Sequence, residues 1–116
     1  ILMSYRWPLK DPDETLDYSV DWSRFLGTAT ISSAVWYVQT SEIGKTALAN
    51  GEDLTTASSS EVTDSIQNVS QSNTDTVATI NVGSGVNNRE YIFTCRMTDS
   101  TGSTAERTIK LTIREK

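Results

Sequence analysis

Four carboxylates crowd one short stretch of this chain, Asp11, Asp13, Glu14 and Asp17. Hard oxygen ligands at that spacing could hold Ca²⁺. The stretch lacks the glycine and the distal glutamate of an EF-hand loop, so it reads first as a solvated acidic turn in which Asp11 or Asp13 accepts bonds from backbone amides. The single cysteine, Cys95, has no partner for an intrachain disulfide. It shares a strand face with Tyr91 and Phe93 and is expected to be a buried, inert thiol. Histidine is absent altogether, which removes the commonest general base and the commonest zinc ligand. Gly83-Ser84-Gly85 precedes a strand rather than a helix and reads as a turn, not as a phosphate cradle. Any two of the fifteen acids could be drawn as a glycosidase pair, and nothing in the sequence prefers one. The expectation is therefore of no catalytic residue, no metal and no cofactor, in a chain that is not an enzyme.

What remains is contact chemistry. Tyr5, Arg6, Trp7 and Tyr37 are the candidate partner-binding residues. Exposed rings of this kind stack on sugars or anchor protein interfaces, where Trp, Tyr and Arg dominate the energetics. For Trp7 the simpler alternative, that it packs back on its own domain, stays open.

The elements that would position these residues follow from hydrophobic periodicity. Tyr91, Phe93, Cys95 and Met97 alternate with Ile92, Thr94, Arg96 and Thr98, the period of a half-buried strand. Asp99-Ser100-Thr101-Gly102 supplies an Asx-type bend and a glycine able to take φ > 0, and Ile109, Leu111 and Ile113 then alternate again, which makes a terminal hairpin. Leu16, Tyr18, Val20 and Trp22 form an inward face opposite Asp17, Ser19 and Asp21, and Ser23 can cap a helical turn ended by Gly27. In the strand Ile31 to Val38, Trp36 and Val38 point inward and Ile31 falls out of phase unless a bulge intervenes. Thr40 to Ser60 loses the pattern around a weak helical signal at residues 45–49, and is either a plain loop or a contact region. An edge strand is expected at Val62 to Val69 with Ile66 as anchor, then a turn at Gln71 to Thr74 and a strand at Thr76 to Val82. The expected architecture is an all-β, immunoglobulin-like β-sandwich of about seven antiparallel strands over residues 15–116, preceded by an extended arm and turn over residues 1–14. That arm would be separable from a folded domain.

A chain of 116 residues with a formal charge of −5 has length for about one domain. It lacks the clustered cations that nucleic acid requires, and no apolar run approaches a bilayer span. Met3 is the more natural start, so nothing is built on Ile1 and Leu2.

The stretches from Trp7 to Ser23, Ile31 to Trp36, Tyr91 to Met97 and Gly102 to Arg107 resemble small proteins encoded among the structural genes of tailed bacteriophages. The opening K-D-P-D-x-x-L-D-Y and the closing G-x-x-x-E-R carry the likeness, and the middle, Thr40 to Ser60, departs from it. The resemblance implies an immunoglobulin-like virion component of the fibre-tail adaptor kind, assembled in the bacterial cytoplasm. Its partners would be other phage structural proteins of the tail, connector or fibre, met by many copies in a symmetric ring, with no nucleic acid and no membrane. A capsid decoration protein and a host-surface carbohydrate-binding module are the alternatives. No catalytic residue is implied.

Overall fold

The computed structural model describes residues 5–57 and 64–116. Ile1 and Leu2, residues 58–60 of the expected loop, Val62 and Thr63 at the head of an expected strand, and the side chain of Tyr5 lie outside the described residues. The strands in chain order are β1 (Tyr5–Arg6), β2 (Thr15–Asp21), β3 (Ile31–Gln39), β4 (Thr46–Ala47), β5 (Gln67–Asn73), β6 (Val77–Gly83), β7 (Glu90–Asp99) and β8 (Thr104–Thr112), with one helical turn, α1 (Ser23–Leu26), after β2. They form a five-stranded sheet, β1-β8-β7-β3-β4, and a three-stranded sheet, β2-β6-β5. Except for β1, whose short pairing with β8 is parallel, these strands pair antiparallel. A sequential B-E-D layer against a C-F-G layer with an added C′ strand is the immunoglobulin arrangement, and β2-β6-β5 against β4-β3-β7-β8 reproduces it.

Alternation explains the core. The inward residues of β7 and β8, Tyr91 through Met97 at every second position and Ile109 and Leu111, with Ile113 just beyond β8, are at most 2% exposed. They face Tyr18, Val20, Ala78, Ile80 and Val82 of the smaller sheet, all buried. Trp36 lies directly opposite Cys95 across the β3–β7 pairing, so the tryptophan and the lone thiol share the centre of the core. Tyr91 fixes the start of β7 from within, its hydroxyl accepting a bond from the Val86 amide at 3.1 Å. Burial pushes its phenol well above the ordinary range.

Ile31 does reach the core: the β3–β7 register shifts between Ile31 and Ser33, and this bulge returns Ile31 to the buried face. The hairpin bend also follows its chemistry. Asp99 Oδ1 accepts bonds from the Thr101 amide (2.9 Å), the Thr101 hydroxyl (2.7 Å) and the Ser103 amide (3.0 Å), and Gly102 sits at φ 91°. These bonds, the Thr101 hydroxyl first, hold the Asp99 carboxyl below its ordinary value of 3.8. A depressed acid stabilises the fold above its unfolded pKa and loses that contribution as pH falls through the folded value. Asp99→Ala is therefore expected to lower the thermal midpoint at pH 7 and to flatten its fall below about pH 4. Parallel acid profiles for the variant and the parent chain would contradict this.

Three expectations change. Ser23 is the first helical residue and Trp22 holds the cap position, because the Asp21 carboxylate takes the Ser23 amide at 2.9 Å. The turn expected at Gln71 to Thr74 lies later: β5 runs to Asn73, and the Thr74 hydroxyl gathers the amides of Thr76 and Val77. The segment after Thr40 is not polar filler. Ile43, Leu48, Leu54 and Ala57 are buried, and the weak helical signal at residues 45–49 yields to β4, because Tyr37 and Val38 pair with Ala47 and Thr46. The arm is hydrogen-bonded to the larger sheet. Its amides at Trp7 and Lys10 donate to the carbonyls of Lys110 and Thr112, and Lys10 returns a carbonyl to the Arg114 amide.

Candidate interaction surface

The outward residues of the larger sheet form cross-strand rows. Val35, Arg96 and Glu106 make one, Tyr37, Thr94 and Thr108 the next, and Gln39, Ile92 and Lys110 a third, which Arg6 extends on β1. Tyr37 lies near the middle. The Lys45 ammonium stands 4.9 Å from its ring centroid and the Arg96 guanidinium 5.5 Å, within the range of cation–π attraction. Glu106 ties the two cations together, accepting from Lys45 Nζ at 2.9 Å and Arg96 Nε at 2.8 Å. The Lys45 bond, with Arg96 behind it, holds the Glu106 carboxyl below its usual value. The ring is thus propped half-exposed by charges that are neutralised on one side. At the sheet edge Arg6 is exposed and bonds Glu90 and Thr112, each at 3.2 Å.

Arg6 and Tyr37 therefore share the outer face, while Trp7 points the other way. Its indole is 9% exposed, stacked on Tyr18 at 4.6 Å and tilted against Phe93 and Trp36 at 5.5 and 5.9 Å. Of the two readings of Trp7, the structure shows packing on its own domain. The reason is strand parity: Arg6 aligns with outward Lys110, so its neighbour faces inward. Tyr5 is described by its backbone alone, opposite Ile109.

The other candidate residues are occupied locally. Asp11 Oδ1 accepts the Asp13 amide, Glu14 Oε1 accepts the Asp11 amide, and Asp17 accepts from Asn81 at 2.7 Å. The Lys116 ammonium lies 2.9 Å from Glu14. Among the described residues no group of three or more His, Cys, Asp or Glu side chains is placed to hold a metal ion. Burial pushes the Cys95 thiol up to about 11, against the thiolate a nucleophile requires.

A family model described as podophage GP4 fiber-tail adaptor protein gp77 matches residues 10–112. The chain belongs to this adaptor family. Membership makes it a structural adaptor of a tailed phage and a virion component. The match includes Tyr37, Lys45, Arg96 and Glu106 and begins after Tyr5, Arg6 and Trp7. No curated protein matches the chain.

Sequence reasoning missed two groupings within this adaptor. Arg96 was legible as an outward position of the terminal hairpin, but its convergence with Glu106 and Lys45 on Tyr37 depends on β3 and β4 lying beside β7. At one end of the sandwich, Arg89 Nη1 bonds both Glu42 and the buried Asp64, the latter at 2.9 Å. Residues 42, 64 and 89 have no spacing signal that would join them.

Proposed function

We propose that this adaptor is a non-enzymatic coupling piece that joins the phage tail or connector to the fibres, present in several copies arranged in a ring. The family match over residues 10–112 carries the reading. The fold supports it: a two-layer sandwich with a buried core holds its outer sheet face rigid, which lowers the ordering cost of docking. The chemistry supports it too, since the chain has no histidine and its one thiol is buried. Arg6 and Tyr37, which share the outer face, are the contact residues. Trp7 acts through them by anchoring the arm to the core. Neither nucleic acid nor a membrane is a partner in this reading.

The test is incorporation into particles. An Arg6→Ala/Tyr37→Ala chain is expected to keep its far-ultraviolet circular dichroism and to be at least about tenfold depleted from the tails of assembled phage, because interface rings and arginines dominate contact energies. Undiminished incorporation would overturn the assignment of these residues. Copies found along the head lattice instead of the tail would overturn the coupling role itself.

A further inference from the structure

The two broad outer faces of the sandwich carry opposite charge. Among the described residues, the larger sheet presents Arg6, Lys45, Arg96 and Lys110 against Glu90 and Glu106, four cations to two anions. That face is cationic within a chain whose net charge is −5. On the smaller sheet the outward positions of β2 are Thr15, Asp17, Ser19 and Asp21, beside Thr79 and Asn81 of β6. Its strands bring two carboxylates to this face and no cation. Arg24 and Arg107 act on Asp21 at one end, so the negative centre lies toward Asp17.

The faces also differ in relief. Long side chains stand up from the larger sheet around the half-exposed Tyr37, with Val35 43% exposed beside it. Apart from Val69 of β5, which is 39% exposed, the smaller sheet presents mostly hydroxyl and amide groups, Ser19 and Thr79 paired at 2.9 Å, and Asp17 held by Asn81. One face offers tall cations and a ring; the other offers a low, acidic, hydrogen-bonding floor.

We propose that these faces bind one another in neighbouring copies, the larger-sheet face of one chain seated on the smaller-sheet face of the next. Two larger-sheet faces meeting each other would oppose like charge, whereas the staggered contact pairs Arg96 and Lys110 with Asp17 and Asp21. A contact between different patches is heterologous, and it closes into a ring when the rotation between neighbouring copies closes and otherwise extends as an open filament. The body measures 40 × 29 × 27 Å, so even its smallest projection is on the order of 800 Å², the area per partner of a standard interface. This deepens the ring reading above by naming the surfaces that meet, and it rests on that reading only for the biological setting.

The test uses the purified chain alone, so its failure is separate from failure of the tail assignment. Sedimentation and light scattering are expected to show concentration-dependent self-association at low ionic strength, weakened in roughly 0.5 M salt as screening shortens the range of the charges. Arg96→Glu/Lys110→Glu and Asp17→Lys/Asp21→Lys should each weaken it at least about tenfold. Mixing the two variants, or combining all four substitutions in one chain, should restore it. Circular dichroism and the thermal midpoint of each variant verify folding before its association is scored. A wild-type chain that stays monomeric throughout overturns the proposal, as does association abolished by one pair of substitutions and indifferent to the other, the mark of a two-fold contact.

Discussion

Replacing Trp7 by alanine is expected to destabilise the protein by about 3–5 kcal/mol, the range for deleting a large buried aromatic side chain. The indole is enclosed by Tyr18, Phe93 and Trp36, side chains drawn from both sheets, so they cannot all collapse into the space without shifting β2 against β7 and β3. Small domains hold about 5–15 kcal/mol in total, and the variant would sit near the threshold of unfolding at 37 °C. Urea denaturation followed by tryptophan fluorescence and by circular dichroism checks it. A loss below about 1 kcal/mol would show that the arm contributes little to the core. The same geometry predicts that truncation through residue 10 damages the fold, since it also removes the buried Lys10, whose ammonium donates to the carbonyls of Asp11 and Ser84.

The second large effect is expected at Gly85, which has φ 104° between β6 and β7. A Cβ built there would stand 2.9 Å from Ile113 Cγ1 and 3.1 Å from Ile66 Cδ1. Both isoleucines are fully buried, so neither can swing into solvent to make room. Gly85→Ala adds about 1–2 kcal/mol of left-handed backbone strain to about 1–3 kcal/mol of overpacking. A loss of roughly 2–5 kcal/mol is expected, read as a lowered urea midpoint with an unchanged slope. By contrast, Gly102→Ala has open space around its Cβ and should show the backbone strain alone. Equal losses at the two positions would contradict the packing explanation.

Much of the fold was legible because alternation marks a buried face directly. The inward sets on β2, β6, β7 and β8 stand at the positions that periodicity assigned, and Ile31, the one residue out of phase, revealed its bulge by that mismatch. The bend at Asp99 was legible because an Asx turn is local chemistry, complete within five residues. The segment after Thr40 was not legible. Its buried residues, Ile43, Leu48, Leu54 and Ala57, follow neither a period of two nor one of 3.6, since they sit on bends, turns and irregular chain on either side of the two-residue strand β4.

The contact surface divides along the same line. Tyr37 and Arg6 were identifiable as residue types suited to an interface, and the likeness to phage structural proteins pointed to the family that the match over residues 10–112 shows. Pattern and composition by themselves determined the all-β class, the core residues of β2, β7 and β8 and the absence of histidine chemistry, because those depend on which side chains exist and on how they alternate. Only the tertiary structure decided that Trp7 turns inward while Arg6 beside it turns out, and that Lys45, Arg96 and Glu106 converge on Tyr37. Those outcomes depend on which strands lie side by side, and pairings between residues as distant as Tyr5 and Ile109 are selected by burial of the whole core, not by any local preference.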